Sequence, residues 1–126
     1  MTVWLIRAGK YGQDENTALE QGYAIIGWVE VPAISGINNY KEMKELLAQY
    51  YPGKSQKAIS NNASQVWAFY SRIEIGDIAV LPLKTGSSTI ALGKITGPYE
   101  FKGGRHMRKV DWILTDVPRS DFGQDL

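Results

Sequence analysis

Apolar positions along this chain recur with two periods, and the periods divide it into elements. Val3 to Arg7 alternates, with Val3, Leu5 and Arg7 on one side of a strand and Trp4 and Ile6 on the other. A loop follows around Lys10 and Tyr11, with Gly9 and Gly12 as turn residues. Asp14 stands where it can cap a short helix to about Gln21, with Ala18 and Leu19 inward and Gly22 as the terminator. Tyr23 to Val31 alternates again. Ala24, Ile26 and Trp28 share one face, and Tyr23, Ile25, Gly27 and Val29 share the other, which predicts a central strand ended by Pro32.

The period then lengthens. Asn39 and Glu42 have capping-box spacing, and Met43, Leu46, Leu47 and Tyr50 form a helical stripe that Pro52-Gly53 stops. A second helix is predicted from about Ser55 to Tyr70, with Ile59, Ala63, Val66 and Tyr70 on one face. Ile78 to Leu83 and Thr89 to Ile95 read as a hairpin about a turn at Thr85 to Ser88. Gly97 to Met107 reads as a glycine-containing loop, and Arg108 to Thr115 as a last strand, closed by Pro118. Strands with helices inserted early give an α+β plan, and about five or six strands can close into a small barrel with the helices packed outside.

Composition narrows the chemistry. The 126 residues fit one domain, and 14 Lys plus Arg against 13 Asp plus Glu exclude a uniformly basic coat while allowing a local basic groove. With no cysteine there is no disulfide, thiolate metal site or cysteine nucleophile, and a single histidine, His106, argues against a metal held by imidazoles. The apolar run at the N-terminus is too short for a signal peptide or a membrane span, so the expectation is a cytoplasmic protein with no membrane partner, no cofactor and no metal.

Nucleophile-elbow, P-loop and dinucleotide motifs are absent. Asp77 with Glu100 and Lys102 has the residue types of a metal-dependent nuclease, which needs two carboxylates on Mg²⁺ and a lysine beside the attacking water. The aromatic residues offer a different chemistry. Trp4 and Trp112 lie in alternating strands; Trp4 reads as core or half-core, Trp112 as core, and Trp67 as core or helix packing. Trp28 ends an aliphatic run just before Glu30 and Pro32, where an indole can wall a pocket for a planar ligand. Tyr99 and Phe101 are interleaved with Lys102, Arg105, Arg108 and Lys109, a combination suited to stacking on a base while holding phosphates. Lys10 and Tyr11, with Arg7, form a smaller basic-aromatic group in the first loop, expected close to the Trp28 end, and Tyr11 and Asp14 are candidates for the pocket edge.

Several segments in one order carry a family likeness: Trp4-Leu-Ile-Arg-Ala-Gly9, Gly22-Tyr-Ala-Ile-Ile-Gly-Trp28, Gln65-Val-Trp67-Ala-Phe69, Gly76-Asp-Ile-Ala-Val-Leu-Pro-Leu-Lys84, Gly97-Pro-Tyr99 and Asp111-Trp-Ile-Leu-Thr-Asp-Val-Pro-Arg-Ser120. Together they resemble the N-terminal domain of Mrr-like and related modification-dependent restriction endonucleases, a PUA-like domain akin to the EVE and YTH domains. Trp28 falls where YTH domains place a cage tryptophan, and Trp112 to Pro118 matches their late Asp-Val-Pro strand. The loop that supplies further cage aromatics there offers Tyr99 and Phe101 here, without a tryptophan.

The resemblance implies a non-catalytic reader of double-stranded DNA that flips a modified, methylated base into an aromatic pocket. It also implies a C-terminal nuclease domain in a longer parent protein. An RNA-binding PUA-like domain and the small nuclease above are the alternatives.

Overall fold

The computed structural model describes residues 1–9, 11–84 and 89–122. In chain order the strands and helices are β1 (Val3–Leu5), α1 (Glu15–Gln21), β2 (Tyr23–Ile26), α2 (Tyr40–Tyr50), α3 (Gln56–Trp67), β3 (Ile78–Pro82), β4 (Thr89–Lys102) and β5 (Arg105–Pro118). A π-helical turn, Ala68–Arg72, continues α3, and a 3-10 turn, Arg119–Phe122, follows β5. The expected turn at 85–88 lies outside the described residues, as does Lys10.

The five strands form one mixed sheet in the order β1-β3-β4-β5-β2. The fold is therefore α+β, but β1 and β2 stand at opposite edges, so the sheet is open rather than closed into the expected barrel. Its spine is the β4–β5 hairpin, 14 residues in each arm. β3 pairs with β4 at Ile90 to Lys94, and β2 pairs with β5 at His106 to Lys109. β1 runs parallel to β3, a pairing that needs a long crossover, here the segment carrying α1, β2, α2 and α3.

The hairpin corrects the expected Gly97–Met107 loop. Gly103 and Gly104 both have positive φ (58° and 77°), and Lys102 pairs with Arg105 around them. Two such residues make the primed two-residue turn whose twist suits a hairpin, so the strands run on to its tip. Register shifts between Ile95 and Tyr99 and around Leu92 and Gly93 bend the ladder. A Cβ at Gly93 would lie 2.5 Å from Val110 Cγ1 and 2.8 Å from both the Asp111 carbonyl oxygen and Trp112 Cε3. Backbone cannot step aside as a flexible side chain can. Gly93→Ala is therefore expected to cost about 2 kcal/mol in urea unfolding. Gly97→Ala, whose Cβ would meet only the Lys109 side chain and backbone at 3.1 Å or more, is expected to cost less.

The helices follow their sequence signals closely. Gly22 ends α1 at φ 75°, with its N–H on the Ala18 carbonyl. Asp14 occupies the N-cap position of α1 but gives it no side-chain cap, because its carboxylate pairs with Arg105 instead. In α2, Asn39 Oδ1 accepts from the Glu42 N–H at 2.9 Å, while Glu42 Oε1 reaches back to the Asn38 N–H. Ser55 caps α3 through the Ala58 N–H.

Two buried clusters hold the domain. One gathers Ala24 and Ile26 of β2 with Met43, Leu47, Ile59, Ala63, Val66 and Phe69 from the helices and the π-turn. The other gathers Tyr23 and Ile25 from the opposite face of β2 with Ala18, Leu81, Ala91 and Met107. Trp112 packs against both, its indole N–H on the Ala18 carbonyl.

Candidate functional site

A cleft of about 900 Å³ opens between β1, the chain that leaves β2, and the α3–π-turn segment. That volume is within the usual range of ligand clefts, roughly 300–1,000 Å³. Trp28 lines it, beside Trp4, Gln65 and Phe69. The backbone departs from regular geometry at two of its walls. β2 stops at Ile26, short of the expected Val31, and Trp28 sits in a turn at φ 56°, the one non-glycine positive φ among the described residues. A bulky residue in that region is an outlier, costing on the order of 1–3 kcal/mol, and such strain gathers at ligand sites. The second departure is the π-turn, whose Ala68, Phe69 and Arg72 line the same cleft. Its wider loop, closed by the Ile73 N–H on the Ala68 carbonyl, re-phases the helix so that Phe69 is buried.

Both departures are pinned from β5. His106 is fully buried, and its Nε2–H donates to the Trp28 carbonyl at 3.2 Å, beside the Val31 N–H at 3.0 Å. That assignment leaves Nδ1 as an acceptor for the Tyr99 hydroxyl at 2.7 Å, and the same hydroxyl oxygen accepts from the Ile34 N–H at 3.1 Å. Burial holds the His106 imidazole below its ordinary pKa, which keeps it in the neutral form this chain of bonds needs. Two residues along, Arg108 donates from Nε to the Gly97 carbonyl at 3.1 Å and from Nη1 to the carbonyls of Phe69 and Ile73. Burial also lowers the Arg108 pKa.

The rim and floor are similarly built. The Tyr51 hydroxyl donates to Glu30 Oε2 at 2.6 Å, tying the Trp28 turn to the end of α2. That bond holds the Glu30 carboxyl below its ordinary range, and burial with the same carboxylate raises the Tyr51 phenol. Asp77 accepts from the N–H groups of Glu74 and Thr2 and from the Trp4 indole at 2.9, 3.0 and 2.8 Å, which together pull its pKa down to about 2.

Of the described residues singled out as pocket walls or phosphate holders in the sequence, only Trp28 lines this cleft, joined by Arg7 of the first basic-aromatic group; Lys10 lies outside the described residues. Tyr99 and Phe101 extend β4 and turn toward His106, at ring distances of 5.9 and 5.1 Å; Tyr99 also meets Tyr70 edge-on at 5.1 Å. They buttress the Trp28 turn and do not wall the cleft. Tyr11 is exposed, whereas Asp14 is buried against Arg105 at 3.2 Å, beside a smaller depression that Lys102 also lines. Lys102 and Lys109 are exposed along the hairpin. Arg108 is a correction: it is 4% exposed, with its guanidinium committed to three carbonyls, and cannot reach a phosphate.

The nuclease grouping also comes apart. Ile78, next to Asp77, pairs with Lys94, and Glu100 lies six residues further along β4, roughly 15–20 Å away. No cluster of acidic or histidine side chains able to hold a metal occurs among the described residues. The cleft residues that the sequence pattern did not assign to the pocket are Trp4, Lys54, Gln65 and Arg72, whereas Arg7 lies on the Trp28 side as expected. Trp4, expected as core or half-core, is half-buried, and its ring faces the cleft.

Among the described residues no helix is long and apolar enough to cross a membrane. No curated protein and no solved structure matches the chain. Residues 4–123 match the family described as a domain of unknown function, DUF8426, and the chain belongs to that family.

Proposed function

We propose that this domain is a PUA-like reader of modified DNA, and that it takes a flipped, methylated base into the Trp28 cleft. One observation carries the reading: a tryptophan is held at a strained φ of 56°, by a buried histidine, on the wall of a cleft of about 900 Å³. Packing alone gives no reason to retain that strain, since an indole can fill space from a relaxed backbone. Placing a flat apolar ring against a ligand does.

The energetics are of the right size. Extruding a base from a duplex costs a few kcal/mol, and stacking on an aromatic face returns about 1–3 kcal/mol. A methyl group buried on the base adds about 0.8 kcal/mol, enough for a preference when the fit is close. The exposed lysines of the hairpin, Lys102 and Lys109, would flank the duplex, and the cutting would belong to a nuclease domain elsewhere in a restriction protein.

The test is binding to labelled duplexes carrying N6-methyladenine, 5-methylcytosine, 5-hydroxymethylcytosine or no modification. Wild type is expected to prefer one modified duplex over the others and over an RNA competitor. Trp28→Ala is expected to weaken that preferred binding about 5- to 150-fold, the equivalent of one missing stacking face. Unchanged affinity in Trp28→Ala would sink the reading, and stronger competition from RNA would move the site to an RNA ligand.

A further inference from the structure

Charge is unevenly spread on this domain. The whole chain is nearly balanced, 14 basic residues to 13 acidic. The cleft is not: among the described residues Arg7, Lys54 and Arg72 line it against a single acid, Glu30, whose carboxylate already accepts from Tyr51. In a near-neutral protein such local segregation creates a field suited to an anion.

The cations of this wall are also arranged. Arg72 lies with its guanidinium carbon 5.6 Å from the centre of the Trp4 ring. Stacked on an indole, a guanidinium keeps its N–H edge free for a bidentate oxyanion. Trp4 is in turn fixed by its indole N–H on Asp77, so the support beneath Arg72 is rigid. Lys54 is placed in the same manner, its Nζ 5.7 Å from the Tyr51 ring centre. Among the described residues, Arg7, Lys54 and Arg72 form no ion pair with a carboxylate. Two aromatic supports, each carrying a cation, suit a site for a phosphate group; Arg72 has no carboxylate partner among the described residues, while Lys54 also feels the Glu30 carboxylate.

We propose that Arg7, Lys54 and Arg72 are the anion-binding wall of the cleft and hold the phosphodiester of the nucleotide whose base stacks on Trp28. The cleft then takes a nucleotide as a unit, base and backbone together, and the hairpin is not the principal holder of phosphate. This rests on the modified-DNA reading.

The test is a salt titration of binding to the preferred modified duplex and to its unmodified counterpart. The slope of log K against log salt falls by about 0.9 for each phosphate that is no longer neutralised. Arg72→Gln is expected to lower the slope by about 0.9, and the Arg7→Gln, Arg72→Gln pair by about 1.8. Both should weaken the two duplexes by similar factors, because a phosphate carries no base identity. Arg72→Lys should keep most of the slope, and Lys41→Gln, on the exposed face of α2, all of it.

If the double variant keeps the wild-type slope while Trp28→Ala loses the modified-base preference, the anion wall is wrong and the base reading stands. If Trp28→Ala keeps that preference while the slope still falls, the base reading is wrong and the cleft remains an anion site. Because Arg72 is exposed, its single variant decides the matter even if Arg7→Gln folds poorly.

Discussion

Arg108→Met is expected to lower the stability of the domain by about 3 kcal/mol, a large part of the roughly 5–15 kcal/mol that holds a domain of this size. Methionine approximates the length and volume of the arginine stem, so the loss isolates the guanidinium. That group serves three carbonyls from separate parts of the fold: Gly97 at the bend of β4, Phe69 inside the π-turn and Ile73 at its exit. Each buried carbonyl left without a donor costs about 1–3 kcal/mol. Relaxation and the relief of no longer burying a charge offset part of the sum, which is why about 3 kcal/mol is expected rather than the full total. In thermal unfolding this is roughly a 10 °C fall. Arg108→Lys should recover only part of it, since one ammonium on a shorter reach cannot serve three diverging acceptors. A Met variant within about 0.5 kcal/mol of wild type in urea unfolding would show that water satisfies these carbonyls and that Arg108 does not hold the π-turn.

How far such a role is legible in the sequence differs from element to element. Helices announce themselves through local chemistry. Asn39 with Glu42, Ser55, and Gly22 after Gln21 set three helix ends because capping depends on residues within one turn. The two apolar faces of β2 are equally visible, and each enters a different core cluster. The long hairpin is harder to see because Gly97, Pro98 and the register shift between Ile95 and Tyr99 interrupt the alternation in β4. Its usable signal is the Lys102-Gly-Gly-Arg105 turn, two glycines between residues that pair. Extending β5 back from that turn puts His106, Arg108, Val110 and Trp112 at alternate positions, so the buried arginine follows from the strand that contains it.

Two features of the site have no local signal. Nothing in Gly27-Trp28-Val29 marks the tryptophan as left-handed, since that conformation is imposed by His106, far away in sequence. The parallel pairing of β1 with β3, which brings Trp4 above Asp77 and beneath Arg72, is a tertiary event that periodicity does not encode. Local irregularity marks the cleft more clearly than composition does. A positive φ at Trp28 and a π-turn at Ala68–Arg72 meet at one surface, and alternate residues of one strand stabilise both. Departures from regular geometry that are individually costly and jointly supported are characteristic of binding sites.

His106→Phe tests that support at the tryptophan itself. Phenylalanine fills similar space but removes both ring nitrogens, leaving the Tyr99 hydroxyl without its acceptor and the Trp28 carbonyl with only the Val31 N–H. A cost of about 2 kcal/mol is expected from these missing bonds, together with weaker binding to the modified duplex as the Trp28 turn loosens. Tyr99→Phe in the same background should cost less than it does in wild type, because the hydroxyl it removes already lacks its acceptor. A coupling of about 1 kcal/mol in that double-mutant cycle is the expected result.

The pH dependence supplies an independent check, since the chain has one histidine. The folded pKa of His106 is lowered, so unfolded protein binds the proton first as pH falls. The stability that neutral His106 contributes is therefore complete above about pH 6.5 and is lost as pH drops from there through its folded value. Asp77, with a folded pKa of about 2, and Glu30, also lowered, begin to give up their contributions only as pH falls through their ordinary carboxylate values, about 4 to 4.5, at the foot of this window. Urea midpoints measured from about pH 7.5 down to about pH 5 should fall in wild type and stay nearly level in His106→Phe. Equal slopes in the two proteins would mean that proton uptake at Nδ1, which removes the acceptor of the Tyr99 hydroxyl, costs the fold nothing, and that the neutral imidazole is not what this chain of bonds needs.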